Sequence, residues 1–138
     1  MSIVQTQTTS FKAELYQAVH NLLTDTIKIA LYNGNANLNA DTTVYSTTNE
    51  VVAAGYTAGG NTLTGVTLST SDSTVYVNFA NTSWTSALTA RCALIYNASK
   101  GNKSVAVLDF GADKTSVTTF LITMPANTAT AALIRSSN

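Results

Sequence analysis

The chain has 138 residues and a mass of 14.5 kDa, the size of one domain, and size scaling gives a folded surface of roughly 7,000 Å² against roughly 21,000 Å² unfolded, enough burial for a core without metals or disulfides. Only 10% of residues are charged, against roughly 25% in typical soluble domains, so Thr, Ser and Asn must cover the surface. Lys plus Arg and Asp plus Glu balance at 7 each, which leaves no net field to steer a polyanion and argues against a nucleic-acid partner, while a near-neutral surface is compatible with permanent assembly, self-association into a homo-oligomer included.

Residues 1–9 are polar and rich in Thr and Gln, without periodicity that could bury a face, and are expected to form a flexible arm ordered only by contact with something else. The remainder, 10–138, reads as a single β-rich domain. Phe11, Leu15, Val19 and Leu22 recur at helical spacing; with Ser10 as cap and Glu14 in the first turn, they predict one amphipathic helix over about 11–23. The period then switches to two: Ile27, Ile29 and Leu31 alternate with Lys28, Ala30 and Tyr32 before the turn pair Asn33-Gly34, which predicts a half-buried strand. Residues 35–61 are too long for an ordinary loop and are expected to fold as irregular pieces, anchored by Val44, Tyr45, Val51, Val52 and Tyr56.

Strand-length alternation returns at Leu63 to Leu68 and at Val75, Val77 and Phe79, and Trp84 opens another short piece. Leu88, Ala90, Cys92, Leu94 and Tyr96 fall on one face of a strand over 88–97, which a short connection joins to Ser104 to Phe110 as a central hairpin. A polar turn is expected at Gly111 to Thr115, followed by Val117 to Met124 and a last apolar run ending at Leu133-Ile134. Short strands with turn signals every 8 to 12 residues or so predict a mainly β fold, a jelly-roll-like sandwich or barrel with one N-terminal helix. No second helical period supports an α/β alternation.

Reactive chemistry is scarce. His20 is the one histidine and Cys92 the one cysteine, which excludes an internal disulfide and the usual structural zinc sites within one chain. His20 lies off the helix stripe and is expected to be partly exposed. Cys92 sits mid-strand among apolar neighbours, where a thiol behaves as an inert small hydrophobe. The run from Asp109 to Lys114-Thr115 lacks the glycines of a phosphate loop, and its carboxylates Asp109 and Asp113 suit backbone capping better than calcium. Gly55, Gly59 and Gly60 lack dinucleotide spacing and serve turns. Hence no catalytic, cofactor-binding or metal site is assigned. The start Met1-Ser2-Ile3-Val4 lacks the basic and apolar features of a signal peptide, and no apolar run approaches the roughly 20 residues of a membrane span; synthesis in a cytoplasm, without a membrane partner, is expected. Trp84 with Tyr45, Tyr56 and Tyr76 could supply the stacking platforms of a carbohydrate-binding module, although such aromatics in strands more often fill a core.

Four stretches, Asp25 to Tyr32, Thr48-Asn49-Glu50-Val51 with Gly55-Tyr56-Thr57-Ala58-Gly59-Gly60, Ala90 to Asn97 and Val105 to Gly111, resemble a recurring family of small tailed-phage virion proteins. The resemblance spans about residues 11–134 and brings no catalytic signature. It implies a non-enzymatic structural protein of the virion, with a capsid cement or decoration role by analogy of fold and size and a tail or head-to-tail junction role as the alternative. Its partners would be the major capsid protein or other virion proteins. The arm 1–9 and the segment 35–61 are expected to make those contacts.

Overall fold

The computed structural model describes residues 3–137. Met1 and Ser2 of the expected arm, and Asn138, lie outside the described residues. In chain order the elements are β1 (Thr6–Gln7), α1 (Thr9–Tyr16), β2 (Ile27–Tyr32), β3 (Asn61–Thr62), β4 (Thr67–Ser71), β5 (Thr74–Asn78), β6 (Thr82–Trp84), β7 (Thr89–Asn97), the 3-10 turn η1 (Ala98–Lys100), β8 (Lys103–Thr115), β9 (Phe120–Ile122) and β10 (Ile134–Ser136). The fold is mainly β, with 41% of residues in strands and 8% helical. Five antiparallel strands form the central sheet in the order β1-β8-β7-β2-β3, and two smaller sheets, β10-β5-β4 and β6-β9, accompany it. None closes into a barrel among the described residues, so the sandwich alternative is the one realised.

The middle of the central sheet, β2, β7 and the first half of β8, is buried on both faces. On one side Ile27, Ile29 and Leu31 of β2 pack with Ala93 and Ile95 of β7 against Val77, Trp84, Phe120 and Ile134 of the smaller sheets, with Phe11 of the helix in the same core. On the other side Ala30, Tyr32, Cys92, Leu94, Tyr96 and Val107 pack beneath Ala36 and Leu38, which belong to the irregular segment after β2. That segment therefore acts as a second layer, stitched down by short bridges at Leu38, Val44 and Glu50. Of its expected anchors, Tyr45, Val51 and Tyr56 pack inward, whereas Val52 is 98% exposed and Val44 48%.

Four expectations are corrected. Residues 3–9 are not a free arm: Ile3 bridges Leu38, Thr6 and Gln7 pair with Val107 and Ala106, and Thr8 is fully buried. Backbone pairing needs no apolar side chains, which is why the composition of this stretch was a poor guide. Second, the helix spans Thr9–Tyr16 rather than 11–23, and Thr8, not Ser10, caps it by accepting from the Phe11 N–H at 3.3 Å. It ends where Ala18 takes φ 58° and the Val19 N–H returns to the Glu14 carbonyl at 3.1 Å, the geometry that satisfies terminal carbonyls. Leu22 still packs against the core from a turn, so the apolar spacing outlasted the helix that it mimicked.

Third, Leu88 and Ala90 do not share a face with Cys92, Leu94 and Tyr96. A register shift between Ala90 and Cys92 moves Leu88 and Ala90 to the core that holds Ala93 and Ile95, because slipping one residue in a strand reverses every side chain beyond it. Fourth, the polar turn expected at Gly111 to Thr115 is the far end of β8: Cys92 opposes Asp109 while Ala90 opposes Lys114. The surplus residues bulge out of β8 around Gly111, whose φ is 82°.

Candidate functional site

The chemistry-bearing side chains gather in two internal networks. The first surrounds Glu50, which is 7% exposed and lies in the irregular layer. Tyr45 donates its hydroxyl to Glu50 Oε1 at 2.6 Å, Tyr56 donates to Oε2 at 2.6 Å, and the Gly59 N–H donates to Oε2 at 2.8 Å. Tyr56 also accepts from the Leu31 N–H at 2.9 Å, and Tyr96 donates to the Gly59 carbonyl at 2.6 Å. The Tyr45 and Tyr96 rings stack with centroids 4.6 Å apart. Burial raises the pKa values of Tyr32, Tyr45 and Tyr56 well above the ordinary phenol value, the Glu50 charge adding to it, and burial pushes Tyr96 up to about 12. These phenols are locked as donors. The backbone allows the approach because Gly60, at φ 78°, lies so close to β2 that an added Cβ would sit 1.8 Å from the Ile29 carbonyl oxygen.

The second network joins the helix to the central sheet. His20, expected to be partly exposed, has a fully buried side chain because the turn after α1 folds it back beneath the helix. Its Nε2 lies 2.8 Å from Glu14 Oε1 and its Nδ1 lies 3.0 Å from Asn97 Nδ2. The Asn97 amide also donates to Asp25 Oδ2 at 2.8 Å, while its Oδ1 accepts from the Ser99 N–H at 3.0 Å. With both amide hydrogens assigned outward, Nδ1 of His20 is the acceptor and Nε2–H the donor to Glu14. Asp25 in turn is 3.1 Å from Lys100 Nζ. Burial works against the charge of Asp25, but the Asn21 N–H, the Asn97 amide and Lys100 together hold its pKa below the usual carboxylate value. Through Glu14 and Asn97, His20 ties the turn after α1 to the end of β7.

The remaining sequence candidates scatter. Cys92 is fully buried and its thiol is pushed up to about 11 by burial. Asp109 accepts from the Gly111 N–H at 2.8 Å and pairs with Arg91, which together hold its pKa below the usual carboxylate value. Asp113 is exposed and joins no ion pair with a described residue. Among the described residues no group of three or more His, Cys, Asp and Glu side chains converges as a metal site would require. Trp84 is 4% exposed and packs with Tyr56 and Phe120 at centroid distances of 5.9 and 6.3 Å. Trp84 and Tyr56 are thus turned inward, and Tyr76 is half-buried on β5, so these aromatics build no exposed platform. No helix of the described residues is long and apolar enough to cross a membrane.

A surface groove lies elsewhere, at the flank where β1 and β8 face β9 and the chain leading into β10. It has a volume of about 930 Å³, with Leu108, Phe110, Phe120 and Leu133 among its apolar walls and Lys114 and Arg135 among its polar ones. It touches neither internal network. Sequence reasoning missed Glu50 and Asn97 as organising residues; the available signal was that Glu50 is the lone acid between Asp41 and Asp72, set among tyrosines and glycines. The groove had no such signal, because residues distant in the chain build it. No family model matches the chain, and neither a curated protein nor a solved structure is significantly similar to it.

Proposed function

We propose that this chain is a structural protein of a tailed-phage particle, and within that class a cement or decoration protein that binds the shell through the major capsid protein or a neighbouring virion protein. One observation supports this most: the carboxylates and phenols of the interior are consumed in bracing the second layer onto the sheet, while unpaired strand edges and a groove are left outside. An interior arranged in this way favours rigidity. A rigid scaffold loses little conformational freedom on binding, so weak contacts repeated over many copies add efficiently.

The four stretches that resemble small virion proteins fall on the same framework. Asp25 to Tyr32 contains β2, Ala90 to Asn97 lies in β7, Val105 to Gly111 lies in β8, and the Glu50 and Gly55 to Gly60 stretches build the tyrosine cage. The likeness is therefore one of scaffold, and the partner-facing surface is free to differ. Because residues 3–9 and the irregular layer are held within the fold, contacts with the shell fall to the open flank and to exposed apolar side chains such as Val117, at 84%, and Leu121, at 57%.

Copy counting by quantitative mass spectrometry of purified particles tests the reading. On the order of hundreds of copies places the chain on the shell, a ring-sized number moves it to the tail or head-to-tail junction, and its absence from particles refutes the virion role.

A further inference from the structure

Three open strand edges meet at the flank groove. Among the described residues β9 pairs only with β6, β10 only with β5, and β8 beyond Val107 has a partner on one side only. Part of this edge is already closed by side chains: Gln5 Oε1 accepts from the Asp109 N–H at 3.0 Å, and Gln7 Nε2 donates to the Arg135 carbonyl at 3.0 Å. Among the described residues no side chain does the same for Phe120–Ile122. The apolar walls at Phe110, Phe120 and Leu133 suit alternate side chains of an added strand, and a volume of about 930 Å³ is in the range of clefts that bury a drug-sized ligand. Lys114 and Arg135 line the groove, no carboxylate residue does, and neither cation pairs with a described carboxylate.

We propose that the groove receives an extended acidic segment of a neighbouring virion protein, which adds as a strand along β9 and sets its carboxylates against Lys114 and Arg135. The identity of the partner as a virion protein rests on the function proposed above; the preference for an acidic strand rests on the groove alone. Main-chain bonds to the open edge give such an insertion its affinity, and the pockets and charges beside it give selectivity. A second copy of this chain is the poorer occupant. Only Asp109 and Asp113 of its acids lie in strands, and Asp109 is held by Arg91.

The test uses the full chain and two short fluorescent peptides, one alternating glutamate with valine and one alternating lysine with valine. The acidic peptide is expected to bind at low salt, to weaken as the Debye length shrinks, and to lose up to about fivefold in affinity for each of Lys114→Gln and Arg135→Gln. Amides of Phe120–Ile122 should gain protection from hydrogen exchange when it binds, and circular dichroism should show both variants folded. Equal binding of the two peptides, no binding of either, or unchanged exchange along β9 would overturn the inference. So would concentration-dependent dimerisation that the two substitutions abolish, since a second copy would then fill the groove. If the chain is missing from purified particles while the acidic peptide still binds as described, the virion role falls and the assignment of the groove to acidic strands stands.

Discussion

Removing the Glu50 side chain is the perturbation whose cost the geometry defines best. The carboxylate accepts from two phenols and one backbone N–H, at 2.6, 2.6 and 2.8 Å. In Glu50→Ala all three donors lose their partner inside the protein. A buried donor left unpaired costs about 1–3 kcal/mol. Gly59 N and Tyr56, which is 8% exposed, bear that cost nearly in full, whereas the less enclosed Tyr45 can turn towards water. We therefore expect a loss of about 3–5 kcal/mol, a large part of the ~5–15 kcal/mol that holds a typical domain folded. Tyr45→Phe removes one donor and leaves the carboxylate two others, so it should cost only about 1 kcal/mol. Urea denaturation followed by tryptophan fluorescence reads both, since Trp84 is buried beside Tyr56. In a thermal scan Glu50→Ala should lower the midpoint by roughly 10–15 °C. A Glu50→Ala protein within about 1 kcal/mol of the parent, or no more affected than Tyr45→Phe, would refute the claim that this carboxylate clamps the irregular layer.

Three further outcomes are expected. Gly60→Ala should abolish folding or cost several kcal/mol, because the new methyl would meet the Ile29 carbonyl at 1.8 Å, whereas Gly111→Ala, at φ 82° with nothing within 4 Å, should cost only about 1 kcal/mol of backbone strain; expression yield and denaturation midpoints separate the two. Cys92 should resist iodoacetamide in the native protein near neutral pH and react on unfolding, since its thiol is fully buried and raised to about 11; rapid native labelling seen by mass spectrometry would contradict this burial. Stability should fall above about pH 10, where phenols of the unfolded chain ionise. Folded Tyr96 keeps its proton to about 12, so between those values the unfolded state binds fewer protons and gains on the native state as pH rises. Urea midpoints measured across the alkaline range check the sign.

The alternation of Ile27, Ile29 and Leu31, the apolar density of residues 89–97 and the return to period two after Thr62 were enough to name a mainly β chain with one helix, because side-chain periodicity is a local consequence of strand and helix geometry. Partition of the core was not legible. Leu88 and Ala90 read as one stripe with Cys92, and only the shift against β8 separates them. Burial of His20 depended on where the helix stopped, a choice made when Ala18 took a left-handed conformation and Asn97 supplied a partner from 77 residues away. The first residues looked unstructured because their ordering comes from hydrogen bonds to the edge of β8, which leave no trace in hydrophobic pattern.

What the sequence determined alone is the set of element types, since these follow from neighbours a few positions apart. What the tertiary structure decided is which groups meet: Glu50 with three donors, His20 with Asn97, and Lys114 with Arg135 across an open groove. Such meetings join residues far apart in the chain, and their positions are set by register, bulges and glycine turns rather than by any local preference.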